Sequence, residues 1–199
     1  MKLPLSFYRQ DDVVEVSQKL LGKVLFTKIN NEICGGIIVE TESYGGISDK
    51  ACHAYNGLLT ERTRPLYENG GVSYVYFCYG MHHLLNIVTN KKNIPQAVLI
   101  RAIEPIHGID TILKRKNKNK IDYTLTSGPG ALCKALGITK KENNISLTGS
   151  ILWIEDHNIL VKDTEIIKSP RVGVNYAEED ALLPWRFRIK NSKWTSPAK

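Results

Sequence analysis

Residues 23–44 read KVLFTKINNEICGGIIVETESY, and the fold turns on how this stretch is read. KVLFTKI is apolar and rich in β-formers, Asn30-Asn31 is a two-residue turn signal, and EICGGIIVETESY runs back as a second strand. The pattern predicts a β-hairpin that bulges or bends at Gly35-Gly36. SYVYFCY (73–79) and HLLNIVTN (83–90) are apolar strand candidates separated by Gly80-Met81-His82, and AVLIRAIEP (97–105) is a third. ILWIED (151–156), RVGV (171–174) and WRFRIK (185–190) read as later short strands. Helix signals are fewer. DDVVEVSQKLLG (11–22) puts Val13, Val16, Leu20 and Leu21 on one face, and IDTILKRK (109–116) is helical by pattern. SDKACHAY (48–55) reads as a short helix or turn capped by Ser48 or Asp49. TSGPGALCKALG (126–137) offers Ser127 as an N-cap, a proline in the first turn and Gly137 as a stop. Strands outnumber helices and follow one another, so the expectation is a mixed, largely antiparallel α+β fold.

A chain of 199 residues without repeats or Pro/Gly/Ser linkers is expected to form a single domain over residues 1–199. No apolar run reaches 18 residues, which excludes a transmembrane helix, and MKLPLSFYRQDD lacks the apolar core of a secretory signal. The four cysteines, Cys34, Cys52, Cys78 and Cys133, show no CxxC pair and no metal-ligand spacing, so a reduced cytosolic chain is expected. A net charge of +7 favours a polyanionic partner. KRKNKNK (114–120) reads either as a solvated loop or as a phosphate contact.

Three stretches could carry chemistry. In ETESY, strand alternation puts Glu40, Glu42 and Tyr44 on one face, with the carboxylates roughly 7 Å apart. Such a pair can divide acid and base roles, and either glutamate is eligible; the bland alternative is a solvated strand face. In SYVYFCY, Tyr74, Tyr76 and Cys78 share one face and Val75, Phe77 and Tyr79 the other. A half-buried strand explains these rings, and so does a pocket wall with a ring at the hairpin tip that wedges into stacked bases. In AVLIRAIEP, Arg101 lies within an apolar strand and needs an anion or a buried acid, such as Glu104. His53 stands alone as a ligand, a base or a packed ring.

Together, LLGKVL, VETESY, ACHAY, YVYFCYGMHHLLNIV, VLIRAIEP, TSGPGALCKALGI, RVGV and PWRFRI span nearly the whole chain. In this order they resemble the alkyladenine (3-methylpurine) DNA glycosylase family. The resemblance implies one compact domain with a curved antiparallel sheet, flanking helices and a protruding β-hairpin that contacts DNA. It implies that Glu42 is the general base, with Arg101 and the backbone carbonyl of Val172 holding the attacking water. Tyr44, His53 and Tyr76 match the walls around an extruded base, and Asn86 matches the residue that obstructs the amine of normal guanine. Tyr79, with Met81 beside it, matches the element that fills the gap in the duplex. The implied reaction is monofunctional hydrolysis of damaged purines, alkylated or deaminated, from double-stranded DNA, initiating base excision repair. It implies no cofactor, no metal and no membrane partner, a monomer, and a place at the nucleoid of a prokaryotic cytoplasm.

The sequence departs from that pattern at ETESY, where the family has ETEAY, and at His82-His83 beside the wedge. Two rival readings use the same residues. A non-catalytic nucleic-acid-binding module would need only the charge and the rings. A metal-dependent hydrolase would use Glu42, His53 and His82-His83, against their irregular spacing.

Overall fold

The Asn30-Asn31 pair turns the chain as its residue types predict. Both asparagines adopt positive φ, 56° and 62°, and that twist lets β1 (Val24–Ile29) fold straight back as β2 (Glu32–Tyr44). A second hairpin joins β3 (Ser73–Cys78) to β4 (His82–Thr89), and β5 (Gln96–His107) pairs with both β4 and β2. Three short strands follow: β6 (Leu152–Glu155), β7 (Ile166–Ser169) and β8 (Arg186–Ile189). The computed structural model describes residues 1–78 and 80–196. Among these, the strands form one curled antiparallel sheet in the order β3-β4-β5-β2-β1-β6, with β8 on β2 and β7 on β8.

β2 is the spine of the sheet. Its first half lies between β1 and β5, and its second half lies between β8 and β5. The handover needs irregularity. Ile38 pairs with Ile103, Glu40 with Ala102 and Thr41 with Ile100, so Val39 and Arg101 each fall out of the ladder. An extra residue of this kind bends a strand and re-aims its side chain. The expected break at Gly35-Gly36 is also present, since Gly35 pairs with His107 and Gly36 with Pro105. The glycines are there for space. A Cβ on Gly35 would lie 2.4 Å from the Phe26 ring, and one on Gly36 would lie 2.4 Å from the Glu104 carbonyl oxygen.

One face of the sheet makes the main core. Ile38, Leu85, Ile87, Val98, Ile100 and Ile103 pack there with helical residues that include Val16 and Leu132. After a single turn, α1 (Leu5–Tyr8), the helix α2 (Val13–Lys19) starts where Asp12 accepts the Val14 amide at 2.8 Å. It docks on β2 through polar bonds: the Thr41 hydroxyl donates to the Ser17 carbonyl at 3.0 Å, and Ser43 Oγ donates to Ser17 Oγ at 2.7 Å. α3 (Ile109–Lys116) and α4 (Pro129–Leu136) complete the layer. Leu132 and Leu136 of α4 are fully buried, each contributing about 2 kcal/mol.

Several local expectations are corrected. RVGV is a loop rather than a strand, because Arg171 is tied to side chains and carbonyls instead of a ladder. Gly128, not Ser127, precedes α4, and the Ser127 hydroxyl donates to the Thr195 carbonyl at 3.0 Å. Glu104 is exposed and is not the partner of Arg101. KRKNKNK is not one free loop. Its first three residues end α3, Arg115 donates to the Ala135 carbonyl at 3.2 Å, and Lys118 pairs with Asp122 at 2.6 Å.

Gly36→Ala forces its methyl against backbone that has nowhere to go. The expected loss is about 1–3 kcal/mol, read as a lower urea midpoint at unchanged slope.

Candidate active site

Antiparallel partners place their side chains on the same face of a sheet. Glu42 pairs with Leu99, Leu99 with Asn86, and Asn86 with Tyr74. This rung crosses β2, β5, β4 and β3 on the face opposite the main core. The neighbouring rungs add Tyr44 with Ala97, and Leu84 with Tyr76. Of these residues, Tyr44, Tyr74, Tyr76, Leu84, Asn86, Ala97 and Leu99 line a cavity of about 540 Å³. The alternation read in ETESY and SYVYFCY is therefore the device that puts acid and rings on one side.

Glu40 and Glu42 are both fully buried, and Arg101, the bulged residue, reaches both. Its Nε donates to Glu40 Oε1 at 2.9 Å and its Nη1 lies 3.3 Å from Glu42 Oε1. The effective desolvation penalty for a buried ion is several kcal/mol, so each needs complete partners. Glu40 has them. Arg186 Nε donates to it at 2.6 Å, the Ser196 amide at 2.6 Å and the Ser196 hydroxyl at 2.8 Å. Burial pushes the Glu40 pKa up, but Arg101, the Ser196 amide and Arg186 together outweigh it and hold it below the usual carboxylate range. Burial likewise opposes the Arg101 charge, and Glu42 and Glu40 overcome it.

Glu42 is held differently. The Val172 amide donates to its Oε1 at 2.8 Å and the Tyr44 hydroxyl to its Oε2 at 2.9 Å. Burial first, then the Glu42 charge, raises the Tyr44 pKa well above the ordinary value, so the phenol stays a donor. Glu42 is not itself among the lining residues; Tyr44, Arg101 and Val172, its three partners, are. The carboxylate thus sits immediately behind the cavity wall.

The loop carrying Val172 is fixed by Arg171, a residue whose role the sequence reading did not assign. Its guanidinium forms a bidentate pair with Asp49, at 2.6 and 2.9 Å, and donates to the Ser43 carbonyl at 2.9 Å. It also lies over the Tyr44 and Trp185 rings, at 5.0 and 5.1 Å from their centroids. An arginine preceding a glycine-containing loop, with Asp49 in a turn far upstream, was the only available signal; nothing in the spacing joins the two.

The His53 ring meets the Tyr76 ring edge-on at 4.6 Å, and His53 Nδ1 is 2.9 Å from the Tyr74 hydroxyl. These rings form a continuous wall, with Tyr44 elsewhere on the lining. Asn86 is buried and its amide donates to the Tyr74 carbonyl at 3.2 Å. Arg62, from the loop between His53 and β3, also lines the cavity, 5.3 Å from the Tyr76 centroid. The cavity therefore gathers Tyr44, His53, Tyr76, Asn86, Arg101 and Val172. Met81, 70% exposed, lines a separate cavity with His82 and His83. Tyr79 lies outside the described residues. The three groups of the metal-hydrolase reading do not converge, and the described residues contain no cluster of three or more metal-ligating side chains. No helix of the described chain is long and apolar enough to cross a membrane.

The Methylpurine-DNA glycosylase family model matches residues 6–193. A chain from Chlamydia felis (strain Fe/C-56), named "Putative 3-methyladenine DNA glycosylase", is 48% identical over 194 residues, covering 96% of this chain and 98% of that one. A relative of the same name from Clostridium novyi (strain NT) is 45% identical over 202 residues, covering 98% of each chain. One from Clostridium perfringens (strain 13 / Type A) is 43% identical over 204 residues, covering 98% of this chain and 99% of its own.

Burial, then the nearby Arg62 charge, lowers the His53 pKa from 6.5 to about 4. The ring is neutral at pH 7. The unfolded chain takes up this proton first, so folding stability drops as pH falls from about 6.5 towards about 4 and is unaffected above that window. A histidine-resolved NMR titration of the folded protein is expected to give one ring with a midpoint near 4; a His53 midpoint near 6.5 contradicts this wall.

Proposed function

The chain belongs to the methylpurine-DNA glycosylase family, and on that premise we propose that it hydrolyses the N-glycosidic bond of damaged purines in duplex DNA with a water activated by Glu42. The observation that carries this reading is the position of Glu42. It is a fully buried carboxylate, immobilised by a backbone amide, a phenol and a guanidinium, at the back of a ring-lined cavity.

The placement of Glu42 carries the chemical step, and the family resemblance the steps before it. The basic surface holds duplex DNA through phosphates, without regard to sequence. A damaged nucleotide rotates out at a cost of a few kcal/mol, least where pairing is already weak. Tyr79 fills the gap, and the base enters the cavity against Tyr76, His53 and Tyr44. Stacking on such rings is typically worth about 1–3 kcal/mol per base and tolerates varied bases. Water at the seam between Arg101 and Val172, which touch both cavity and carboxylate, gives its proton to Glu42. Its oxygen joins C1′ as the C1′–N bond breaks, and the purine departs with the bonding pair. The Val172 carbonyl contributes a second hold on that water.

Substrate charge decides how much help the leaving group needs. An N3- or N7-alkylated purine is cationic and leaves as a neutral base. A deaminated purine such as hypoxanthine is neutral and departs only with a proton, which His53, neutral at pH 7, does not supply. Asn86, projecting from the floor, obstructs the exocyclic amine of normal guanine. No lysine is among the described residues lining the cavity, which favours simple hydrolysis over strand cleavage. The non-catalytic alternative draws support from no specific feature of the site.

Glu42→Gln keeps the shape and the Val172 contact but removes the base. Release of free methylated purine from alkylated duplex, followed by mass spectrometry, is expected to fall about 10²- to 10⁴-fold, with DNA affinity nearly unchanged. Undiminished release by this variant defeats the assignment.

A further inference from the structure

Arg62 stands apart from the other arginines at the site, of which Arg101 shares the cavity lining and Arg171 lies behind it. Arg101 is bound to Glu40 and Glu42, and Arg171 to Asp49. Among the described residues, Arg62 has no carboxylate partner, although Arg64 two residues on pairs with Glu61. It is an exposed residue. Its guanidinium nevertheless lies over the Tyr76 ring, 5.3 Å from the centroid, on the cavity lining.

A flat cation over a ring uses the π-face that an incoming base also needs. Tyr76 cannot hold both on one face. The same group is felt inside the cavity: after burial, its charge is what lowers His53, and at Tyr74 its charge and a side-chain hydrogen bond act against burial.

We propose that Arg62 is a specificity-determining residue, which occupies the Tyr76 face in the empty cavity, yields it to the extruded base, and weighs by its charge against cationic purines relative to neutral ones. This rests on the proposed base-excision reading of the cavity. Displacement of the guanidinium is a cost common to all bases. Repulsion is not: it acts on a methylated, positively charged purine and spares a neutral one of the same size. The aromatic walls attract that cation, so Arg62 levels a preference the rings alone would make steeper. The loop position of Arg62, outside the sheet, lets it leave the ring without disturbing Glu42.

The test compares affinities, by fluorescence anisotropy, for identical duplexes carrying one 7-methylguanine, one hypoxanthine or no lesion. The Glu42→Gln chain is measured beside chains that add Arg62→Gln or Arg62→Lys. Taking the 7-methylguanine to hypoxanthine affinity ratio cancels any uniform change in phosphate binding. Arg62→Gln is expected to raise that ratio about three- to tenfold at low salt, with a smaller rise at high salt. Arg62→Lys, which keeps the charge without the planar stack, is expected to stay near the parent ratio. A ratio in Arg62→Gln unchanged or lowered overturns the proposal for Arg62. Failure of the unmodified chain to free any purine from alkylated duplex overturns the excision reading itself, and the two failures are distinguishable.

Discussion

Arg101 bridging Glu40 and Glu42 is the interaction on which the remainder of the structure depends. Two buried carboxylates on one strand face repel one another, and neither is tolerable alone in a protein interior. The bulge in β5 that frees Arg101 from the ladder aims a cation at both. Arg186, one rung away on β8, balances the second charge through Glu40. Glu40 is thereby saturated and serves as scaffold. Glu42 keeps fewer charged contacts and faces the cavity side. The division of labour between two chemically identical residues, two positions apart, comes wholly from their neighbours.

The sheet separates architecture from chemistry by parity. Thr41 and Ser43 point to α2 and fasten it, whereas Glu40, Glu42 and Tyr44 point the other way. The same alternation in β3 sends Val75 to the core and Tyr74 and Tyr76 to the cavity. Slipping β2 or β3 by one residue would exchange the two sets. Register is therefore as important to the site as residue identity, and Gly35 and Gly36 contribute by letting β1, β2 and β5 approach closely.

Much of this was legible in the sequence. The NN turn, the strand alternation in ETESY and SYVYFCY, and the need of Arg101 for a buried acid each follow from local rules. The choice of acid did not. Glu104 is nearest in sequence, yet it faces solvent, and the bulge that turns Arg101 towards Glu40 leaves no local trace. RVGV looked like a strand because valines favour one; Arg171 overrides that preference with long-range bonds to Asp49 and Ser43. The choice between Glu40 and Glu42 rests on resemblance alone; the fold distinguishes the two only by the partners that close Glu40 off.

Ser196 closes the Glu40 site from 156 positions downstream. Burial of the Glu40 charge is complete only when the segment around Ser196 is seated, which couples the centre of the sheet to a stretch far from it in sequence.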